Sequence, residues 1–596
     1  MKALRHTISA GVLITAGLLI AGPGRAAPNA AVEGVFDGAL RTEIELALGE
    51  AKTAPRSALE ARRRAIDAAR DATALLRSEG YYEAVVAPDI VATPSPRSLL
   101  KVTPGPRFKL QTPAINWVGP PPEPSAVSEV RAALGLVPGA PGRAADILAA
   151  EGRAVAALQK LGYADAEIQP REVIVDHADA TVRPTIRVTA GALVRLGPVR
   201  SEEKTRSRQV WVARLAPWAP GATYDPALLA KLEKRLLETG VYESATVALG
   251  PASVDRNAPR PVIVTLAERP RHSLELGASY STTEGSGADA KWTTFNRLGR
   301  GDSLILIAKL YDIQQKLDIE QDLPHWGHAG QTLKIGGGFL GDRTPAYDDV
   351  GGGIRLDVIR RADLTNSVSL GGSLDFASTR EKVALNLLAT PVGETLSLLI
   401  ATGRAAFTLD RSNSILNPTR GWRFDAETDP TLIEGDRNLG YLKTEAQVSG
   451  YLPLGGGLPI VAARVKFGSI LGGSIPGVPA DRRFFSGGGG SVRGYGYQAV
   501  GPRLSDNTPE GGLSLTEGSI ELRQRLSKSW GLVAFADVGG IGTSSVPSFD
   551  NLAIGVGAGV RYDLGFAPLR LDIATPVNSR RGDSPVQIYI SIGQAF

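Results

Sequence analysis

Arg493 closely follows a run of four glycines at positions 487–490. Such a run turns tightly and packs no core of its own. An arginine carried by that loop into an enclosed space needs a carboxylate, because an unpaired buried charge is costly. Two acids qualify by strand parity: Asp537 shares a face with Phe535, and Glu521 shares one with Arg523 and Arg525. The chemistry on offer is ion pairing that pins a loop. Gly555, Gly557 and Gly559 alternate with larger residues and would leave room for it. A bare Arg-Gly-Tyr more often means an exposed loop arginine. Arg503, nearby but outside the motif, is expected to matter less.

Reactive groups are scarce elsewhere. The 596 residues include no Cys and five His, which removes disulfides, thiolate metal sites and cysteine nucleophiles. His325 and His328 sit beside Pro324 and Gly327, as in a turn, and supply fewer ligands than a closed metal site needs. The run from Gly494 to Ala499 fits a dinucleotide fingerprint by letter, but no helix pattern follows it. No Ser/His/Asp arrangement stands out. We assign no catalytic residue, no cofactor and no metal, and expect a protein that is not an enzyme.

The elements that must position Arg493 and its acids read as strands of period two. Ile554, Val556, Ala558, Val560 and Tyr562 alternate with three glycines and Arg561; Leu569, Leu571 and Ile573 alternate with Arg570, Asp572 and Ala574. Apolar on one face and polar or tiny on the other is what a barrel wall in lipid requires. Of the 69 glycines, 49 fall in residues 271–596. At roughly twenty residues per strand and connection, that stretch supplies about sixteen antiparallel strands. A soluble β-sandwich or propeller would alternate similarly.

Residues 1–270 have another character. Helical patterns end at Gly80, Gly162 and Gly240, each followed at once or after one residue by Tyr, and short β-like runs come next. The spacing is that of a small repeated α+β domain. The apolar stripes are Leu59, Ile66, Ala69 and Leu76; then Leu148, Val155, Leu158 and Leu161; then Leu228, Leu229, Leu232 and Leu236. Asp225 and Pro226 open the third helix as cap and first residue. Ahead of the repeats, Lys2, Arg5 and His6 precede an apolar stretch at 8–21, with Gly24 and Ala26 at a cleavage site. This reads as an export signal, too short to be a membrane anchor. Its removal takes away Lys2, Arg5 and Arg25 and lowers the formal charge from +5 to +2, which favours no nucleic acid. The expected organisation is a signal at 1–26, repeats at 27–109, 110–194 and 195–270, and a barrel at 271–596.

Several motifs now coincide. The loop from Arg482 through Gly488, continuing to Val492, Arg493, Gly494 and Tyr495, resembles the signature loop of the BamA/TamA outer-membrane assembly superfamily. Asp410-Arg411 with Asn417-Pro418-Thr419-Arg420-Gly421 is similar to another of its signatures. So are the segment from Phe535 to Gly539 and a last strand ending in Phe596. The three repeats resemble the POTRA domains of the TamA branch, in contrast to five in BamA and two in two-partner secretion transporters. The resemblance implies an outer-membrane barrel with three periplasmic POTRA-like domains, and a loop arginine held by wall acids matching Glu521 and Asp537. It also implies unfolded β-barrel or autotransporter clients, outer-membrane lipid around the barrel, and a periplasm-spanning TamB-like partner.

Function would then reside at the seam between the first strand, near 273–280, and the last, at 587–596. Gly277 and Gly593 lie within those strands, where a missing side chain weakens packing. Leu276 and Ile590 are the first candidates for facing positions across it. Two alternatives stand beside an insertase: a two-partner type transporter passing polypeptide through the lumen, and an outer-membrane barrel enzyme, for which no nucleophile constellation is evident.

Overall fold

The structure, a computed structural model, describes residues 28–51, 53–91, 95–202, 204–252, 258–362, 365–382, 393–455, 459–565 and 568–592. The export signal expected at 1–26, Gly593 and Phe596 lie outside the described residues.

The order β-α-α-β-β describes the first and third of three modules, and the second follows it with two additional short strands. The first module runs β1 (Ala31–Glu33), α1 (Gly38–Leu48), α2 (Ala58–Ser78), β2 (Val85–Val91) and β3 (Arg97–Thr103), with β3 central in its sheet. Ser57 caps α2 by accepting from the Glu60 amide, and Glu60 accepts in turn from the Arg56 amide, two orphan donors satisfied reciprocally. The buried face of α2 is an alanine stripe, Ala61, Ala65, Ala68, Ala69 and Ala72, closed by Leu76. Leu59 and Ile66 point away, 80% and 53% exposed. The expected leucine stripe is therefore wrong at two of four positions. Small side chains bring the helix close to its sheet, near enough for Ser98 to donate to the Ala61 carbonyl at 2.9 Å.

The second module contains β4 (Lys109–Leu110), β5 (Ala114–Trp117), α3 (Pro124–Ala133), α4 (Ala144–Lys160), β6 (Glu167–Ile168), β7 (Glu172–Asp176) and β8 (Thr181–Thr189). In α4 the buried stripe is Ile147, Ala150, Ala154 and Leu158, so Leu148 is exposed where burial was expected. The third module has β9 (Leu196–Ser201), α5 (Gln209–Arg214), α6 (Pro226–Leu237), β10 (Tyr242–Leu249) and β11 (Arg260–Glu268). Here Leu229, Leu232 and Leu236 are buried, and Asp225 accepts from the Ala227 amide. Gly80, Gly162 and Gly240 all adopt positive φ, which is why the three helices stop where they do.

By compactness the chain forms two units. One holds most of the first two modules; the other holds most of the third module together with the barrel. The barrel strands are β12 (His272–Ser281), β13 (Gly285–Phe295), β14 (Ser303–Tyr311), β15 (Gln314–Pro324), β16 (Gln331–Arg343), β17 (Tyr347–Arg361), β18 (Asn366–Glu381) and β19 (Thr395–Asp410). They continue as β20 (Gly421–Gly435), β21 (Leu439–Pro453), β22 (Ile460–Leu471), β23 (Ser514–Arg525), β24 (Trp530–Gly542), β25 (Ala553–Asp563), β26 (Pro568–Pro576) and β27 (Gln587–Ile592). All sixteen pair with their sequence neighbours, and β12 closes on β27. The alternation read from sequence is visible in β26, where Leu569, Leu571 and Ile573 are exposed while Arg570 and Asp572 are buried. An apolar outer face on a closed sheet suits hydrocarbon.

A polar joint fixes the third module to the rim of the barrel. Asn296, in the turn after β13, donates to Ser207 Oγ and Glu268 Oε1, both at 2.8 Å. Ser207 also contacts the Tyr242 hydroxyl at 2.6 Å, and Arg206 Nε donates to Glu268 Oε2 at 2.7 Å. Burial pushes the Tyr242 hydroxyl up to about 12. Burial also pushes Glu268 upward, but hydrogen bonds from Arg206 and Ser207 outweigh it and hold the carboxyl below its ordinary range. Farther along the rim His325 fills a structural place. Its Nε2 donates to the Arg235 carbonyl at 2.7 Å, and its Nδ1 accepts from the Gly330 amide at 3.0 Å.

Candidate functional site in the lumen and at the seam

The segment between β22 and β23 folds back into the barrel and carries Arg493, which is 1% exposed. Its guanidinium grips Asp537 with two bonds, Nε to Oδ2 at 2.6 Å and Nη2 to Oδ1 at 2.8 Å. Nη1 reaches Glu521 at 2.7 Å. The backbone amide of Arg493 adds a bond to Asp537 at 3.1 Å, and the cation lies 3.5 Å from the Phe535 ring centroid. Strand parity is the cause: Glu521 on β23 and Asp537 with Phe535 on β24 all face inward.

A third acid was missed. Asp572 of β26 stands 3.2 Å from Arg493 Nη1 and is itself held by Arg570 and Arg561. Its signal was in the sequence, since it sits between the outward Leu571 and Ile573. Arg523 completes the network on Glu521 at 2.8 Å. A bidentate, multiply paired guanidinium is the form of buried charge whose attraction best repays desolvation.

The neighbours of Arg493 complete the seat. Val492 is buried against Gly539 and Gly555. A side chain at Gly555 would collide with the Arg493 carbonyl, whereas Gly557 and Gly559 make room for Phe535 and for Asp572 with Arg561. Gly494 takes φ +99°, and a Cβ there would come within 2.8 Å of the Thr575 backbone. Its amide donates to the Tyr589 hydroxyl of β27 at 3.2 Å. Tyr495, buried, donates to Asn578 Oδ1 at 2.6 Å. Arg503 is no neutral reference, because it pairs with Asp583 at 2.5 Å.

The same loop touches the other side of the seam: the Gly489 amide donates to Glu284, between β12 and β13, at 3.2 Å. Among the described residues β12 and β27 align at Tyr280 with Ile590 and Ser281 with Tyr589, whereas every other barrel ladder spans six to fifteen pairs. Thr282 extends the seam, its amide donating to the Ile588 carbonyl at 3.1 Å and its hydroxyl to Gln587 Oε1 at 2.6 Å. This register corrects one expectation. Ile590 faces Tyr280, and Leu276 lies four residues farther along β12, outward and 74% exposed, opposite Ala290 of β13. Gly277 faces inward beside Asp289. The segment Asn417–Arg420 belongs to the turn between β19 and β20, Gly421 opens β20, and Asn413 Oδ1 in the same turn accepts from the Thr419 and Arg420 amides.

A closed sixteen-stranded barrel with an apolar outer face, preceded by α/β modules and entered by its own loop, defines a class of membrane barrel. The Omp85 superfamily domain matches residues 296–596, and the chain belongs to that superfamily of outer-membrane assembly and transport barrels. In fold it is similar to BamA from Haemophilus ducreyi lacking POTRA domains 1–3, with a TM-score of 0.68 and 18% identity over 81% of this chain and 100% of that one. CdiB from Acinetobacter baumannii matches with a TM-score of 0.48 and 14% identity, over 81% of this chain and 90% of that one.

Proposed function

We propose that this protein is a TamA-type insertase, which helps autotransporters and similar β-barrel proteins fold into the outer membrane by sideways opening between β12 and β27. The observation that carries the reading is the seam's ladder, two pairs among the described residues beside ladders of six to fifteen. Parting it breaks few main-chain bonds and exposes the edge of β12, which an incoming client strand pairs with in turn. Main-chain pairing of that kind serves many sequences and needs neither ATP nor a catalytic residue. The three modules lie in the periplasm as POTRA domains, offer further sheet edges to clients, and receive a TamB-like partner.

The test is a lock. The register makes Tyr280→Cys with Ile590→Cys the pair to join, since directly opposed antiparallel residues lie within disulfide reach. The native chain has no thiol to compete. In proteoliposomes, oxidation should slow insertion of a β-barrel client by about tenfold or more, and a reductant should restore it. Normal insertion by the oxidised, cross-linked barrel would overturn the mechanism and favour passage through the lumen.

A further inference from the structure

At the rim that carries the third module, α5 and the turn after β15 enclose a cavity of 430 Å³. Arg208, Arg214 and Arg300 line it and no acid does. All three are exposed, and among the described residues none of their guanidinium groups forms an ion pair or hydrogen bond. By contrast Arg355, Arg423, Arg483 and Arg493 each hold a carboxylate. Three unmatched guanidinium groups around one cavity form a site for a phosphate-bearing anion.

The remaining wall is apolar and identifies the source. Leu323 and Pro324 end β15, whose outward Leu317 and Ile319 are exposed on the lipid-facing side of the barrel. Trp326 is exposed just beyond, and Val210 on α5 is 81% exposed. Tryptophan at the end of a spanning strand marks the headgroup level. The cavity thus sits where a strand leaves hydrocarbon, with cationic groups on one side and a greasy wall running toward the acyl chains on the other. The joint holds it in shape, through Arg208, whose amide donates to the Gly299 carbonyl at 2.9 Å, and through His325 on the Arg235 carbonyl.

We propose that this cavity binds the phosphate headgroup of an anionic phospholipid from the leaflet on the module-bearing side of the membrane, and so couples the third module to the membrane surface. An acidic polypeptide would find the charge but would have no use for the apolar wall facing lipid.

The experiment uses the full chain with phosphatidylglycerol or phosphatidylcholine as probe, and counts lipids retained by native mass spectrometry after detergent exchange. The wild type should retain phosphatidylglycerol over phosphatidylcholine. The triple variant Arg208→Gln, Arg214→Gln, Arg300→Gln should lose that retention by about fivefold or more. Arg62→Gln, Arg63→Gln, Arg131→Gln, on exposed positions of the first two modules, should keep it. Folding of each variant is read from its gel shift on heating. Equal retention by the wild type and the folded triple variant would overturn the proposal, as would displacement of the lipid by inorganic phosphate alone. Lost client insertion with unchanged lipid retention would assign the arginines to a polypeptide and overturn it too.

Discussion

Arg493 meets three acids at once and is the one loop residue among them, so a single substitution there should weigh heavily. Truncation would leave Glu521, Asp537 and Asp572 facing one another without the cation between them. Breaking such a buried pair costs about 3–5 kcal/mol. Arg493→Ala should lower the temperature at which the barrel loses its folded gel mobility, while Arg581→Ala, on an exposed loop residue, should leave it unchanged. Arg493→Lys should restore only part of the loss, since an ammonium cannot form the two-bond fork to Asp537. If Arg493→Ala and Asp537→Asn both melt like wild type, the loop is not held by this charge.

Among elements, the joint between the third module and the barrel rim carries a pH dependence. His325 uses both ring nitrogens, one as donor and one as acceptor, which requires the neutral ring. Burial lowers its pKa, with Arg235 acting in the same direction and the Arg235 carbonyl and Glu238 opposing. The undocked ring, with its ordinary value near 6.5, takes up a proton before the docked one does. The joint is therefore fully stabilised above that value and weakens as pH falls below it. Hydrogen exchange in the turn at 325–330, corrected for intrinsic rates, should accelerate between about pH 7 and 5.5. His325→Gln should flatten the profile. An identical profile in wild type and variant would show that the joint titrates elsewhere.

For the molecule as a whole, an outward apolar face on a closed sheet and membership of the Omp85 superfamily lead to one placement. The protein should fractionate with the outer membrane and migrate differently on gels before and after boiling. Recovery in the soluble fraction without that shift would remove the lipid-facing reading of Leu569, Leu571 and Ile573.

Much of this is legible in the sequence. Period-two alternation is local, so the barrel and its strand number followed from counting, and parity along single strands put Glu521 and Asp537 on inward faces. The helix stops at Gly80, Gly162 and Gly240 were equally local, since each needs a positive φ that glycine adopts freely. The faces of α2 and α4 were less so. Alanine carries little hydrophobic signal, and only the sheet beneath decides that Ala61 and Ala65 go in while Leu59 stays out. Asp572 joins Arg493 across 79 positions of sequence, and Tyr280 meets Ile590 across most of the barrel's length of chain. Register and closure are properties of the assembled sheet. A one-residue slip leaves the alternation of each strand intact while changing every partner across the seam, and that is why the tertiary structure alone could decide which residues face each other there.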